Sequence, residues 1–200
     1  MRAAAVILLE RAPWLVTPWI IRRLAAATAD GFQVPPLPLR GPSARRLLTR
    51  YARLTVHLAG TVLSRADGPE LLPITQARLR RNAAQLGTTA RRLLGITGRT
   101  DALRALAALY RCIGIEVESR GTEEIAVTRC FFVDYFTPDT CRVAEALDQG
   151  LALGLDPDMD LHFCARMTAG AAQCRAMLSR RRYQPRGVDR NPPWVRRAEP

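Results

Sequence analysis

Residues 113–130 read IGIEVESRGTEEIAVTRC, and the hydrophobic period within that stretch decides the fold class. Ile113, Ile115 and Val117 alternate with polar residues up to Ser119. Arg120-Gly121 makes a turn, and Ile125 and Val127 carry the alternation on to Cys130. Period two is the signature of a half-buried strand, and two such runs around a glycine turn predict a hairpin. Everything before this stretch has the helical period instead. Ser43 caps a helix whose Leu47, Leu48, Tyr51, Leu54, Val56 and Leu58 recur at helical spacing up to Gly60. Ala66 to Pro73 reads as a turn region, and Thr75 to Leu94 as a helix with an Arg-rich face ended by Gly95 and Gly98. Thr100 caps a further helix with Leu103, Leu106, Leu109 and Tyr110 on one stripe.

The pattern beyond the hairpin completes the architecture. Thr137-Pro138-Asp139 opens a helix through Cys141, Val143, Ala144 and Leu147, with Gly150 near its end. After the Asp156-Pro157-Asp158 turn, Leu161, Phe163 and Ala165 alternate with His162, Cys164 and Arg166, a strand with one apolar and one chemically loaded face. Thr168 to Gly170 turns the chain, and Cys174 to Leu178 forms a last strand. The expected fold is α+β: an N-terminal helical part packed on a small antiparallel sheet of about four strands with a crossover helix. One domain should cover 1–182, made of a helical half, 1–111, and a cysteine-containing module, 112–182. Residues 183–200 should be a tail, and the four prolines between Gly31 and Pro42 should form an extended connector.

Composition narrows the class without giving an activity. With 200 residues, 48% hydrophobic and 24% charged, the chain can build a core, which excludes long disorder, collagen and a disulfide-built miniprotein. The net charge is +12, and all 30 basic residues are Arg. So complete an absence of Lys is a composition bias and not by itself a nucleic-acid signal. The charge is unevenly placed: residues 100–179 hold 12 acids against 7 Arg, and the segments on either side are basic. Basic helices neutralising the acidic module explain this without a partner; an anionic membrane or nucleic acid would need a motif, and none is present. Met1 to Ile21 predicts an amphipathic helix packed on the domain, with an interfacial membrane helix as the alternative, because Glu10 and Arg11 interrupt the apolar run that a spanning helix or signal peptide needs. A cytoplasmic protein without a transmembrane segment is expected.

All five cysteines, Cys112, Cys130, Cys141, Cys164 and Cys174, lie in 112–174, and an odd number argues against a disulfide framework. Cys112 ends a helix stripe and reads as a small buried hydrophobe. The other four stand at a strand end, in the first turns of a helix, on the polar face of a strand and after a turn, positions that can converge at one end of the sheet. Four thiolates suit zinc or a [4Fe–4S] cluster alike, although gaps of 11, 23 and 10 residues contain no CxxC pair.

The run from Cys130 to Cys174 resembles the L-2-amino-thiazoline-4-carboxylic acid hydrolase-like family. The resemblance rests on Arg129-Cys130, Cys141, Asp148, Gly154-Leu155-Asp156-Pro157, Leu161, Arg166-Met167-Thr168 and the Gly170-x-x-x-Cys174 spacing. Ala171 stands where the family usually has Asp, and Ala144 and Glu145 stand where some members carry a further Cys, for which Cys164 is the natural replacement. The similarity covers about 80 residues, roughly 110–180, and is looser to 4-vinyl reductase-type domains and to cysteine-rich carotenoid isomerases. It implies an α+β domain acting on a small molecule, with cysteines that are catalytic or hold an iron–sulfur cluster.

Two functions follow as expectations, ahead of a third, nucleic-acid binding, which predicts affinity that falls steeply with salt. The first is a hydrolase-like enzyme, with a lyase or isomerase as variants. In it Cys130, Cys141, Cys164 and Cys174 hold an iron–sulfur cluster, or zinc, as Lewis acid for hydrolysis or rearrangement. His162 would be the acid/base, Arg166 would hold a substrate carboxylate, and Asp148 and Asp134 would be further acid/base groups. With free thiols, Cys141 at its helix N-terminus would be a candidate nucleophile. The second is a non-catalytic, metal-stabilised binding protein docking through Arg78, Arg81 and Arg92. A small-molecule ligand, no nucleic acid and a possible homo-oligomer complete the expected partners. Against the sharper roles, His162 can be a surface histidine, Arg166 can pair with an acid of the module, and His57 is read as a core or boundary residue.

Overall fold

A computed structural model of the chain describes residues 9, 11–36, 38–39 and 43–180; the expected tail, and residues 1–8 and 10 of the expected Met1–Ile21 helix, lie outside them. The described residues form an α+β fold of five α-helices and one four-stranded antiparallel sheet. In chain order these are α1 (Pro13–Gly31), α2 (Ala44–Leu63), α3 (Gly68–Leu94), α4 (Arg99–Cys112), β1 (Ile115–Arg120), β2 (Glu124–Cys130), α5 (Pro138–Leu155), β3 (Met159–Ala165) and β4 (Cys174–Arg180). Short 3-10 turns at Phe131–Asp134 and Met167–Ala169 follow β2 and β3. None of the described helices is long and apolar enough to cross a membrane.

The sheet order is β1-β2-β4-β3, so the two hairpins meet where β2 pairs with β4, and α5 is the crossover between them. One face carries Ile115, Ile125, Val127, Leu161, Phe163, Cys174, Ala176 and Leu178 into the core, together with Tyr51, Leu106 and Leu155 from the helices. Glu116, Glu118, His162, Cys164, Arg175 and Met177 are exposed. This is the one-sided burial expected of an antiparallel sheet. Gly121 (φ 72°) and Gly170 (φ 91°) take the left-handed conformations that close the two hairpins.

Three details depart from the sequence reading. α4 begins at Arg99 with Gly98 in the cap position, so Thr100 lies inside its first turn and is not the cap. α3 begins at Gly68, so the expected turn at Ala66 to Pro73 shrinks to a few residues before it. Pro69 fits the first helical turn, where its missing N–H was unpartnered anyway, and exposed Pro73 forfeits one bond a turn later. The register of β3 against β4 shifts between Phe163 and Ala165, and the strand ends at Ala165. Arg166 therefore leaves the outer face that His162 and Cys164 share.

Helix α5 is held by an unusually close approach to α3. A Cβ built on Gly150 would stand 2.1 Å from the Arg80 carbonyl oxygen, and one on Gly154 would stand 2.2 Å from that of Ala84. Across the same seam, a Cβ on Gly87 would stand 2.5 Å from the Leu151 carbonyl oxygen. Only hydrogen fits at these three positions, so Gly150-x-x-x-Gly154 on α5 and Gly87 on α3 let the backbones touch. Leu79, Ala83, Val143, Ala146 and Leu147 fill the adjoining core.

A pair of alanine variants checks this seam. Gly150→Ala should destabilise by about 1–3 kcal/mol, the usual overpacking cost, despite its better helix propensity. Gly60→Ala, in α2 where an added Cβ meets nothing within 4 Å, should stabilise by about 0.5–1 kcal/mol. Denaturant unfolding reads both, and equal behaviour of the two variants would remove the seam from the account.

Candidate functional site

Cys141, Ala144, Glu145, Asp148 and Leu151 lie three or four residues apart on α5, so they form one stripe facing the sheet. Thr137 starts the helix, its hydroxyl accepting the Thr140 N–H at 3.1 Å. Opposite the stripe stand Cys130 at the end of β2, Cys174 at the start of β4, Phe163, and Arg166 to Thr168 after β3. Tyr110 of α4 and Phe132 of the 3-10 turn complete the walls of a cavity of about 110 Å³. Most of its lining is hydrocarbon, aromatic ring or sulfur.

Asp148 is the polar centre. Its Oδ1 accepts a hydrogen bond of 2.9 Å from the Tyr110 hydroxyl. Burial raises the Asp148 carboxyl to about 7, the Tyr110 hydrogen bond opposes that rise, and the charge of Glu145 adds to it. Burial, reinforced by Asp148, also holds the Tyr110 phenol well above its ordinary value, so Tyr110 stays a donor. Cys130 is pushed up to about 12, by burial first and then by Cys174, Asp148 and Cys141. Burial likewise raises Cys141 and Cys174. The Met167 N–H donates to the Cys174 sulfur at 3.3 Å. These three cysteines are neutral thiols at rest.

At the cavity wall, Glu145 is 8% exposed and ion-paired with Arg166 through Oε2 and Nη2. Its Oε1 accepts from the Phe163 N–H at 3.3 Å and the Gln149 amide at 3.2 Å. Because β3 is an edge strand, Glu145 thereby supplies a partner to a backbone N–H the sheet leaves over. Arg166 lines the cavity, and its Nε is buried without a partner among the described residues. A buried unpaired donor is costly unless another molecule brings an acceptor.

The structure brings together Cys130, Cys141, Cys174, Asp148 and Arg166, and leaves His162 and Cys164 outside. His162 is 75% exposed on the outer face, its Nδ1 3.8 Å from Glu145 Oε1. Cys164 is exposed on the same face, its thiol donating to the Arg175 carbonyl at 3.4 Å. Alternation along β3 is the reason: Phe163 points in, so its neighbours point out. Asp134 is exposed, Cys112 is buried in a separate cluster with Leu9 and Ala108, and His57 is exposed instead of buried. The four-cysteine set therefore does not close around one point. Among the described residues, no three His, Cys, Asp or Glu side chains are arranged to hold a metal ion. A four-thiolate cluster or zinc does not fit the side chains as placed.

On the helical half, Arg81 and Arg92 are exposed and Arg78 is half-buried. Arg80 bridges to Asp160 of β3 at 3.0 Å, a link between basic helix and acidic module. Two polar groups of the cavity escaped the sequence reading. Tyr110 was one more member of an apolar stripe, although a buried tyrosine hydroxyl needs a partner. Glu145 sits four residues after Cys141 and three before Asp148, a charge on the inward face of α5 that the helical period could have marked.

Compared with known proteins, the chain matches no family model, no curated protein and no solved structure.

Two measurements check the electrostatics. In the native protein, iodoacetamide should modify Cys164 at least tenfold faster than Cys130, Cys141 or Cys174, since only a thiolate within reach reacts; faster modification of Cys130 would contradict its burial. The Asp148 carboxyl is raised on folding, so its contribution to stability is complete below about pH 4 and is lost as pH rises through about 7. Asp148→Asn should flatten the stability profile across that window, and an unchanged slope would return Asp148 to an ordinary carboxylate.

Proposed function

We propose that this protein is an enzyme acting on a small carboxylate-bearing molecule, with Asp148 as general acid/base in an apolar cavity. The observation that carries the reading is the Tyr110–Asp148 pair set among Cys130, Cys141 and Cys174. A carboxyl titrating near 7 has both protonation states available at physiological pH, which is the condition for efficient proton transfer. Structural carboxylates seldom occupy such a place, since burial without a cation costs stability.

The reading supports hydrolysis or rearrangement and assigns the groups as follows. Arg166 offers its Nε to a substrate oxygen while Glu145 holds the other end of the guanidinium in place. In a hydrolysis, the Asp148 carboxylate takes a proton from water as the water oxygen bonds to the electrophilic carbon. The protonated carboxyl then returns that proton to the departing heteroatom. Tyr110 fixes the carboxyl rotamer throughout, and the apolar walls keep bulk water from competing. A resting thiolate nucleophile is disfavoured, because moving a proton from the Cys130 thiol near 12 to a carboxylate near 7 is strongly uphill, and burial raises Cys141 and Cys174 as well. The three thiols serve as polarisable walls.

L-2-amino-thiazoline-4-carboxylate is the first substrate to test, on the strength of the resemblance described above. Turnover should depend on an ionisation near pH 7. Asp148→Asn should lower kcat about 10²–10⁴-fold, the usual contribution of acid/base catalysis, and Arg166→Met should act mainly on KM. Full activity in Asp148→Asn would end the proposal. Stoichiometric iron or zinc in the purified protein, lost in Cys174→Ser, would replace it by a metal centre.

A further inference from the structure

A second cavity, of about 330 Å³, lies between α1, α3 and α4 and shares Leu24, Leu86, Ile113 and Leu151 with the wall of the first. We propose that it receives the hydrocarbon tail of an elongated substrate whose carboxylate lies at Arg166, so that the ligand is an amphiphile spanning both cavities. This rests on the reading of the first cavity as the reaction site.

Three observations carry it. The second cavity is the larger, and Val16, Ile20, Ala90, Leu94 and Leu109 give it an apolar lining, so it solvates a chain and not a polar group. The two spaces share four wall residues, three leucines and one isoleucine, and a leucine side chain can clear space by changing rotamer. The second cavity is also lined by Trp19 and Leu93, 49% and 69% exposed, with the Arg23 guanidinium 5.5 Å from the Trp19 ring centre. Exposed large apolar side chains at the rim of an apolar cavity mark an entrance for an apolar ligand.

Straight-chain carboxylates of 4 to 16 carbons, titrated into the full chain by calorimetry, test the idea. Affinity should tighten up to about fourfold per added methylene. Ala90→Phe fills the second cavity alone and should flatten that dependence while leaving the shortest acids unaffected; Thr89→Phe, at the exposed rim, is the second variant should the first not fold. Acids brominated at the chain end should quench tryptophan fluorescence, and Trp19→Phe should abolish most of that quenching. Affinity independent of chain length, a length dependence that survives both plugs, or quenching that survives Trp19→Phe would overturn the proposal. So would long-acid binding seen only after removal of residues 1–8, which would make that segment the natural occupant. Alkanols separate this proposal from the one beneath it: a retained length dependence for alkanols, with acids no better than alkanols, would discard the Arg166 head-group site and keep the tail cavity.

Discussion

The contact between α3 and α5 is the constraint on which the remaining structure depends. With Gly150 and Gly154 on one helix and Gly87 on the other, backbone meets backbone, and α5 has no freedom to slide or to roll. Its rotation is thereby fixed, and with it the stripe from Cys141 through Asp148 that faces the sheet. Glycine in a helix interior costs about 1 kcal/mol each relative to alanine. The sequence accepts that cost where it determines how closely α5 approaches α3.

Given that placement, the polar groups at the site depend on each other. Asp148 lies where burial opposes its charge, and the hydrogen bond from Tyr110 is what keeps ionisation within reach at neutral pH. Glu145, one turn earlier, adds negative charge that raises Asp148 further, yet its own charge is matched by Arg166. Losing Arg166 would leave Glu145 buried and uncompensated, which is generally costlier than losing the pair. Arg166 thus holds the electrostatic balance as well as presenting a free donor.

The fold was legible because its deciding signals are local. Alternation at 113–130, the Thr137-Pro138 helix start and the turns at Gly121 and Gly170 each depend on a few neighbouring residues, and each appears where expected. The site was half legible. Cys130, Cys141, Cys174, Asp148 and Arg166 do line one cavity, but the shared face assigned to His162, Cys164 and Arg166 fails at the register shift after Phe163. A bulge depends on the partner strand and leaves no mark in the alternation itself. The start of α3 was missed for a related reason: proline breaks a helix or begins one according to the turn it occupies, and only the tertiary structure says which.

The cavities themselves bear on function through what they cost. By the volume dependence seen when core side chains are truncated, a 110 Å³ void costs roughly 3 kcal/mol. That is a large share of the about 5–15 kcal/mol that holds a domain folded. Ala83 and Ala144 line the first space and Ala90 the second, positions where a larger apolar residue would close the gap. A core shaped for stability alone would have been filled there. It would also have had no place for a carboxyl poised near neutrality, an unpartnered guanidinium nitrogen and three protonated thiols around one opening, and the proposed function gives their joint presence a ligand to serve.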